Sequence, residues 1–145
     1  MTPIPQELQK FPFPESARVR SEHERVKQLN HTKECIVLSG NREGFFVLSN
    51  CLILWANQLI GDFRMSDLSP LYSGLDIVIS VHTRKPRLTD GRVVLSRDGV
   101  YVWEIENTAL SDVATLMHAL SYATDELHLD EGLADDDISV YCYVE

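Results

Sequence analysis

An α+β architecture, a predominantly antiparallel sheet of about eight strands with two helices, is what this 145-residue sequence predicts, and three observations predict it. Between Cys35 and Glu106, hydrophobicity runs at a period near two, in short stretches rich in β-branched and aromatic residues separated by turn residues. Two other stretches, before Leu29 and after Glu106, carry apolar residues at helical spacing. The closing run Ile138-Ser-Val-Tyr-Cys-Tyr-Val alternates, with Ile138, Val140, Cys142 and Val144 on one face and Tyr141 and Tyr143 on the other.

Four of the six prolines lie within the first fourteen residues, so 1–14 is expected to be an extended, proline-rich arm along the surface of a single domain spanning 1–145, with Phe11 and Phe13 pinning it. From 15 to 29 charges are dense and only Val19, Val26 and Leu29 form an apolar seam, which predicts a mostly solvated N-terminal helix. Strands are expected at 35–39, 44–49, 51–56, 59–65, 75–83, 92–97 and 100–106, in one sheet or in two packed sheets. Asp98-Gly99 stands between two alternating runs, the composition of a two-residue type I′ hairpin turn, and Gly40-Asn-Arg-Glu-Gly44 and Thr89-Asp-Gly91 read as further turns. A helix capped by Asn107 or Thr108 should run to about His128 before the last strand. Leu110, Val113, Leu116, Met117, Leu120 and Leu127 project to its buried side, and Ser111, Thr115, His118, Tyr122, Asp125 and Glu126 to its solvent side.

Charge divides the chain. The first 97 residues hold all thirteen Lys and Arg, against ten Asp and Glu; the last 48 hold no Lys or Arg and twelve carboxylates, so a net of +3 is joined to a net of −12. Such a field repels nucleic acid and anionic membranes, and it attracts basic protein surfaces at long range. The three cysteines, Cys35, Cys51 and Cys142, are odd in number and sit in apolar runs, as reduced core thiols do in a cytosolic protein. The opening residues carry no basic segment leading into an apolar stretch, and no 18-residue apolar run occurs anywhere. A cytoplasmic location is the expectation.

Within the acidic half, Asp125, Glu126, Asp130, Glu131, Asp135, Asp136 and Asp137 place seven carboxylates in thirteen residues. Their mutual repulsion costs stability unless something outside the fold uses them, which implies a partner; a solvated loop is the competing reading. The spacing lacks the alternating ligands and terminal Glu of a calcium loop. Tyr122, beside His118, Thr115, Asp125 and Glu126, has the layout of an aromatic interface anchor ringed by charge. A tyrosine leaning on a neighbouring strand is its alternative reading.

The opposite pole, His82, Arg84, Lys85, Arg87, Arg92 and Arg97, could hold phosphates, although no glycine-rich cradle or RNA-binding aromatic motif accompanies it. Catalysis finds no signature. His23, His31, His82, His118 and His128 never form His-x-x-x-His or His-Glu-x-x-His, and there is no Gly-x-Ser-x-Gly, phosphate loop or dinucleotide fingerprint. A Cys51–His82 pair is conceivable in space, but apolar neighbours raise a thiol's pKa and quench it. Neither an enzyme nor a cofactor or metal site is expected.

In size, charge and architecture the chain resembles the acidic immunity proteins of bacterial toxin–immunity pairs, including those of contact-dependent growth inhibition. The resemblance implies an inhibitor that covers the active site of a basic, nuclease-type toxin by mimicking nucleic-acid charge. Asp125, Glu126, Asp130, Glu131, Asp135, Asp136 and Asp137 would then be charge partners and Tyr122 the anchor. An acidic chaperone or adaptor of a secretion or phage system is the alternative, and a nucleic-acid binder using the Arg84–Arg97 pole the third.

Overall fold

Residues 15–27, 32–58, 61–82, 91–95, 98–130 and 138–145 are described by a computed structural model, and their strands form two sheets. The first sheet contains β1 (Val19–Lys27), β2 (Thr32–Gly40), β4 (Tyr72–Ser73), β8 (Glu126–Asp130) and β9 (Ser139–Val144), in the order β4-β1-β2-β9-β8. The second contains β3 (Gly61–Arg64), β5 (Ile77–His82), β6 (Gly91–Leu95) and β7 (Tyr101–Glu106), in the order β3-β5-β7-β6. Helix α1 (Arg42–Asn57) joins the sheets, and α2 (Asn107–His118) continues through a 3₁₀ turn, Ala119–Ser121, towards β8.

The α+β class holds, but the sheets are mixed. Four pairings are antiparallel, β1–β2, β3–β5, β6–β7 and β8–β9, and three are parallel, β1–β4, β2–β9 and β5–β7. Alternation along a strand reveals its faces but not its neighbours. The parallel partners are brought together by long crossovers, such as the one through α1, β3 to β7 and α2 that separates β2 from β9.

The segment predicted as an N-terminal helix is strand β1. Its nine residues pair with β2 in unbroken register from Val19↔Gly40 to Lys27↔Thr32. Arg25 stands directly opposite Glu34 and bonds it at 3.1 Å, so one of the charges that suggested a solvated helix has a cross-strand partner. The two strands expected at 44–49 and 51–56 are one helix, α1. A continuous apolar run fits either element, and here length decides: neither Gly nor Pro interrupts 45–57. Ser49-Asn50, the supposed break, is absorbed because Ser49 Oγ donates to the Phe46 carbonyl at 2.8 Å inside the helix.

Helix α2 ends ten residues before the expected 128. Leu127, at helical distance from Leu120, instead faces Cys142 across the β8–β9 pairing. Leu110, Val113, Met117 and Leu120 are buried as expected, whereas Leu116 is half exposed. Glu106, not Asn107 or Thr108, takes the capping position, and the Thr108 hydroxyl donates to the Glu106 carboxylate at 2.8 Å. Gly99 has the expected positive φ, +78°, but Leu95 faces Tyr101, where a two-residue turn at 98–99 would set Leu95 opposite Val102. The connection therefore holds an odd number of residues, as in the longer hairpin loops that end on a left-handed glycine.

The remaining strand predictions fall on β2, β3, β5, β6, β7 and β9. Thr89 and Asp90 of the third predicted turn, and the arm at 1–14, lie outside the described residues. No described helix is long and apolar enough to cross a membrane.

One core joins both sheets and both helices. Ile36, Leu38 and Val140 of the first sheet face Ile77, Ile79 and Trp103 of the second, with Leu48, Leu52, Met65 and Met117 between them. The gap they leave is about 10 Å³, wholly apolar, and no larger than a single water. Phe45, Leu48, Cys51, Leu52 and Trp55 of α1 are essentially inaccessible, and Trp55 stacks on Phe63 with ring centroids 5.0 Å apart. Each large side chain so buried contributes about 1.5–3 kcal/mol. The three cysteines are buried and form no disulfide among the described residues, and burial pushes the Cys51 thiol up to about 12 and raises that of Cys142.

At the β1–β4 junction a closed circuit runs from the Leu75 N–H to Ser21 Oγ (2.8 Å), from that hydroxyl to the Tyr72 hydroxyl (2.5 Å), and from Tyr72 to the Leu75 carbonyl (2.5 Å). Burial, above all, pushes the Tyr72 hydroxyl up to about 12; the Ser21 hydrogen bond opposes the shift and the Asp76 charge adds to it. Because the folded value lies above the unfolded one of about 10, this stabilisation is complete below pH 10 and is lost as pH rises through 12. Denaturant midpoints measured from pH 8 to 12 should fall across that window, and less steeply in Tyr72→Phe.

Gly44 supplies a second test. Alanine normally stabilises a helix by about 1 kcal/mol over glycine, but a Cβ at this position would run into the backbone of Arg18. Gly44→Ala should therefore destabilise, by about 2 kcal/mol or more, against about 1–2 kcal/mol for Gly99→Val, where φ is strained but the space is open. Urea denaturation checks both, and a Gly44→Ala protein as stable as the wild type would refute the close approach.

Candidate partner-binding surface

Arg42 and Phe46 lie one turn apart on α1, and His118 closes α2. The Phe46 and His118 rings are 5.5 Å apart and tilted by 48°; the His118 and Tyr122 rings are 5.5 Å apart at 61°, edge to face. Three rings thus form a ladder from α1 across the end of α2 onto the turn that follows. Tyr122 is 71 % exposed and Phe46 44 %, large apolar areas to leave in water side by side. Ser49 Oγ lies 3.5 Å from His118 Nδ1 beneath the ladder.

The turn that carries Tyr122 is held from three sides. The Ala119 carbonyl accepts from the backbone N–H groups of Tyr122, Ala123 and Thr124 at 3.2, 2.8 and 3.1 Å. The Arg42 guanidinium donates to the carbonyls of Leu120 (3.3 Å) and Thr124 (3.2 Å) and to the Asp125 carboxylate (2.5 Å). The Val144 N–H donates to the Asp125 carbonyl at 2.7 Å, tying the turn to the end of β9. A surface fixed in this way loses little conformational freedom when it binds.

Of the residues selected from the sequence, Tyr122, Asp125 and Glu126 meet at this turn, all exposed. Tyr122 is not on a helix face but on the turn after the 3₁₀ segment, and Asp125 is paired with Arg42. Glu126 opens β8 opposite Tyr143, itself 39 % exposed. Asp130 ends β8, opposite Val140, and its side chain lies outside the description, as do Glu131, Asp135, Asp136 and Asp137. Phe46 and Arg42 were missed, because reading 44–49 as a strand hides their shared helix face. His118 was placed on the solvent side of the helix beside Tyr122, with no role of its own.

Elsewhere, His23 pairs with Glu34 and stacks on Tyr101 at 6.3 Å, linking the two sheets. Burial first, and then the Glu34 charge, raises the Tyr101 hydroxyl. Cys51, proposed as a conceivable partner of His82, is a buried core thiol of α1. No group of three metal-ligating side chains occurs among the described residues. Of the basic pole, His82 ends β5 and Arg92 lies in β6, while Arg84, Lys85, Arg87 and Arg97 lie outside the described residues. No protein-family model matches this chain, and no curated protein or solved structure is detectably similar to it.

Arg42→Ala should free the turn without unfolding the protein. Amide hydrogen exchange should accelerate at Tyr122, Ala123 and Thr124 by about tenfold, the loss of one to two kcal/mol of charge-assisted hydrogen bonding, while β2 and β9 stay protected. Unchanged exchange would show that the Ala119 carbonyl and Val144 suffice.

Proposed function

We propose that this protein is an inhibitor of a cationic protein partner, in the manner of an immunity protein that covers the active site of a basic nuclease toxin. The observation that carries the proposal is Tyr122: an aromatic side chain 71 % exposed, on a turn fixed from three sides, within a stretch of chain that has many carboxylates and no Lys or Arg. Exposed aromatics on rigid supports anchor interfaces, and surrounding charges steer the partner in. An acidic surface competes with nucleic-acid phosphates for a nuclease's cationic groups, so binding and inhibition coincide. In this reading Asp125, Glu126, Asp130, Glu131, Asp135, Asp136 and Asp137 are the charge partners.

Affinity capture from the native host, followed by mass spectrometry and a nuclease assay, tests the class: the captured protein should be a basic nuclease that this chain inhibits stoichiometrically. On that partner, reversing Asp135, Asp136 and Asp137 to Lys should slow association and flatten its salt dependence. Tyr122→Ala should speed dissociation about thirtyfold, the equivalent of about 2 kcal/mol. Surface-plasmon kinetics at two salt concentrations separate the two effects, and wild-type rates in both variants would defeat the proposal.

A further inference from the structure

We infer that the Phe46–His118–Tyr122 ladder is a receptor for an arginine side chain presented by the partner. The inference rests on the inhibitor reading for its choice of a protein partner, and on geometry for its choice of arginine.

Three properties of the ladder select a planar cation. Aromatic faces are negative, and a cation within about 6 Å of a ring centroid is attracted by about 0.5–2 kcal/mol. Tyr122 offers its ring to solvent, and its hydroxyl has no hydrogen-bond partner among the described residues. Four residues along, the exposed Glu126 carboxylate has no partner among the described residues either. A guanidinium is drawn both to the Tyr122 ring face and to the charge of the Glu126 carboxylate close by in the chain, and its fork of N–H donors matches a carboxylate.

Other occupants fit less well. An apolar side chain would desolvate the Glu126 carboxylate without compensation, and an anion would be repelled by it. Lysine brings the charge but neither the plane nor the fork. Arg42, the one cation at this edge of the ladder among the described residues, does not oppose an incoming charge, because Asp125 and the carbonyls of Leu120 and Thr124 already engage it. It places the turn that carries Tyr122 and leaves the ring free.

Two acetylated and amidated peptides of equal length and charge, four arginines or four lysines spaced by Gly-Ser, serve as probes in NMR titrations of the full chain. The arginine peptide should bind about fivefold more tightly than the lysine peptide and should shift the aromatic signals of Phe46, His118 and Tyr122. The preference should fall below about twofold in Tyr122→Ala and in Phe46→Ala, each checked for native dispersion, while salt-sensitive binding to the acidic segment persists. Equal affinities for the two peptides, or an arginine preference that survives both substitutions, would overturn the receptor. Inhibition of a basic nuclease combined with equal peptide affinities would retain the inhibitor and refute the arginine site. An arginine preference that depends on the ladder, in a protein that inhibits no nuclease, would do the reverse.

Discussion

The corner where β2 becomes α1 constrains everything built around it. Asn41 caps the helix, its side-chain oxygen accepting from the Gly44 N–H at 2.7 Å and from the Arg18 N–H at 3.1 Å, while its own N–H donates to the Arg18 carbonyl at 3.1 Å. Its side-chain amide also donates to the Ser16 carbonyl. The chain leading into β1 thus crosses the corner at backbone contact, a passage that only glycine permits at positions 40 and 44. This crossing sets the start of β1, the end of β2 and the direction of α1 at one point. At the same end, Gly40 accepts from the Glu145 N–H, and the Glu145 carboxylate pairs with Arg20.

With its start fixed, α1 presents Phe45, Leu48, Cys51, Leu52 and Trp55 to both sheets. The helix is apolar beyond the face it buries, so the excess emerges elsewhere: Phe46, the neighbour of the inaccessible Phe45, emerges at the surface. There it meets His118, because α2 packs alongside α1. The aromatic ladder is thus a consequence of helix packing, with its last ring supplied by the turn that returns the chain to the first sheet.

Charge is distributed unevenly around this apolar surface. Lys and Arg occur only up to Arg97, and Arg42 is engaged in holding the turn, while the exposed Asp125 and Glu126 follow Tyr122 in the chain. In the inhibitor reading proposed above, the carboxylates govern the rate of encounter and the aromatic rings the lifetime of the complex.

What could be read from residue order alone was everything that depends on local period and on composition. β2, β5, β7 and β9 show in their alternation, the buried thiols in their apolar neighbours, Gly99 in its need for positive φ, and the charge division in a count. Tyr122, Asp125 and Glu126 were selected because an aromatic among carboxylates is itself a local signal. What the fold alone decided depends on pairings distant in sequence. The charged stretch 19–27 is a strand because β2 supplies cross-strand partners such as Glu34 for Arg25. The apolar run 42–57 is a helix because both sheets need one long buried face between them, and Leu127 leaves α2 because Cys142 awaits it in β9. Parallel neighbours such as β2 and β9 are separated by about a hundred residues, and hydrophobic period carries no record of which strand lies beside which. Phe46 joins Tyr122 only through His118, a contact between two helices that no window of sequence contains.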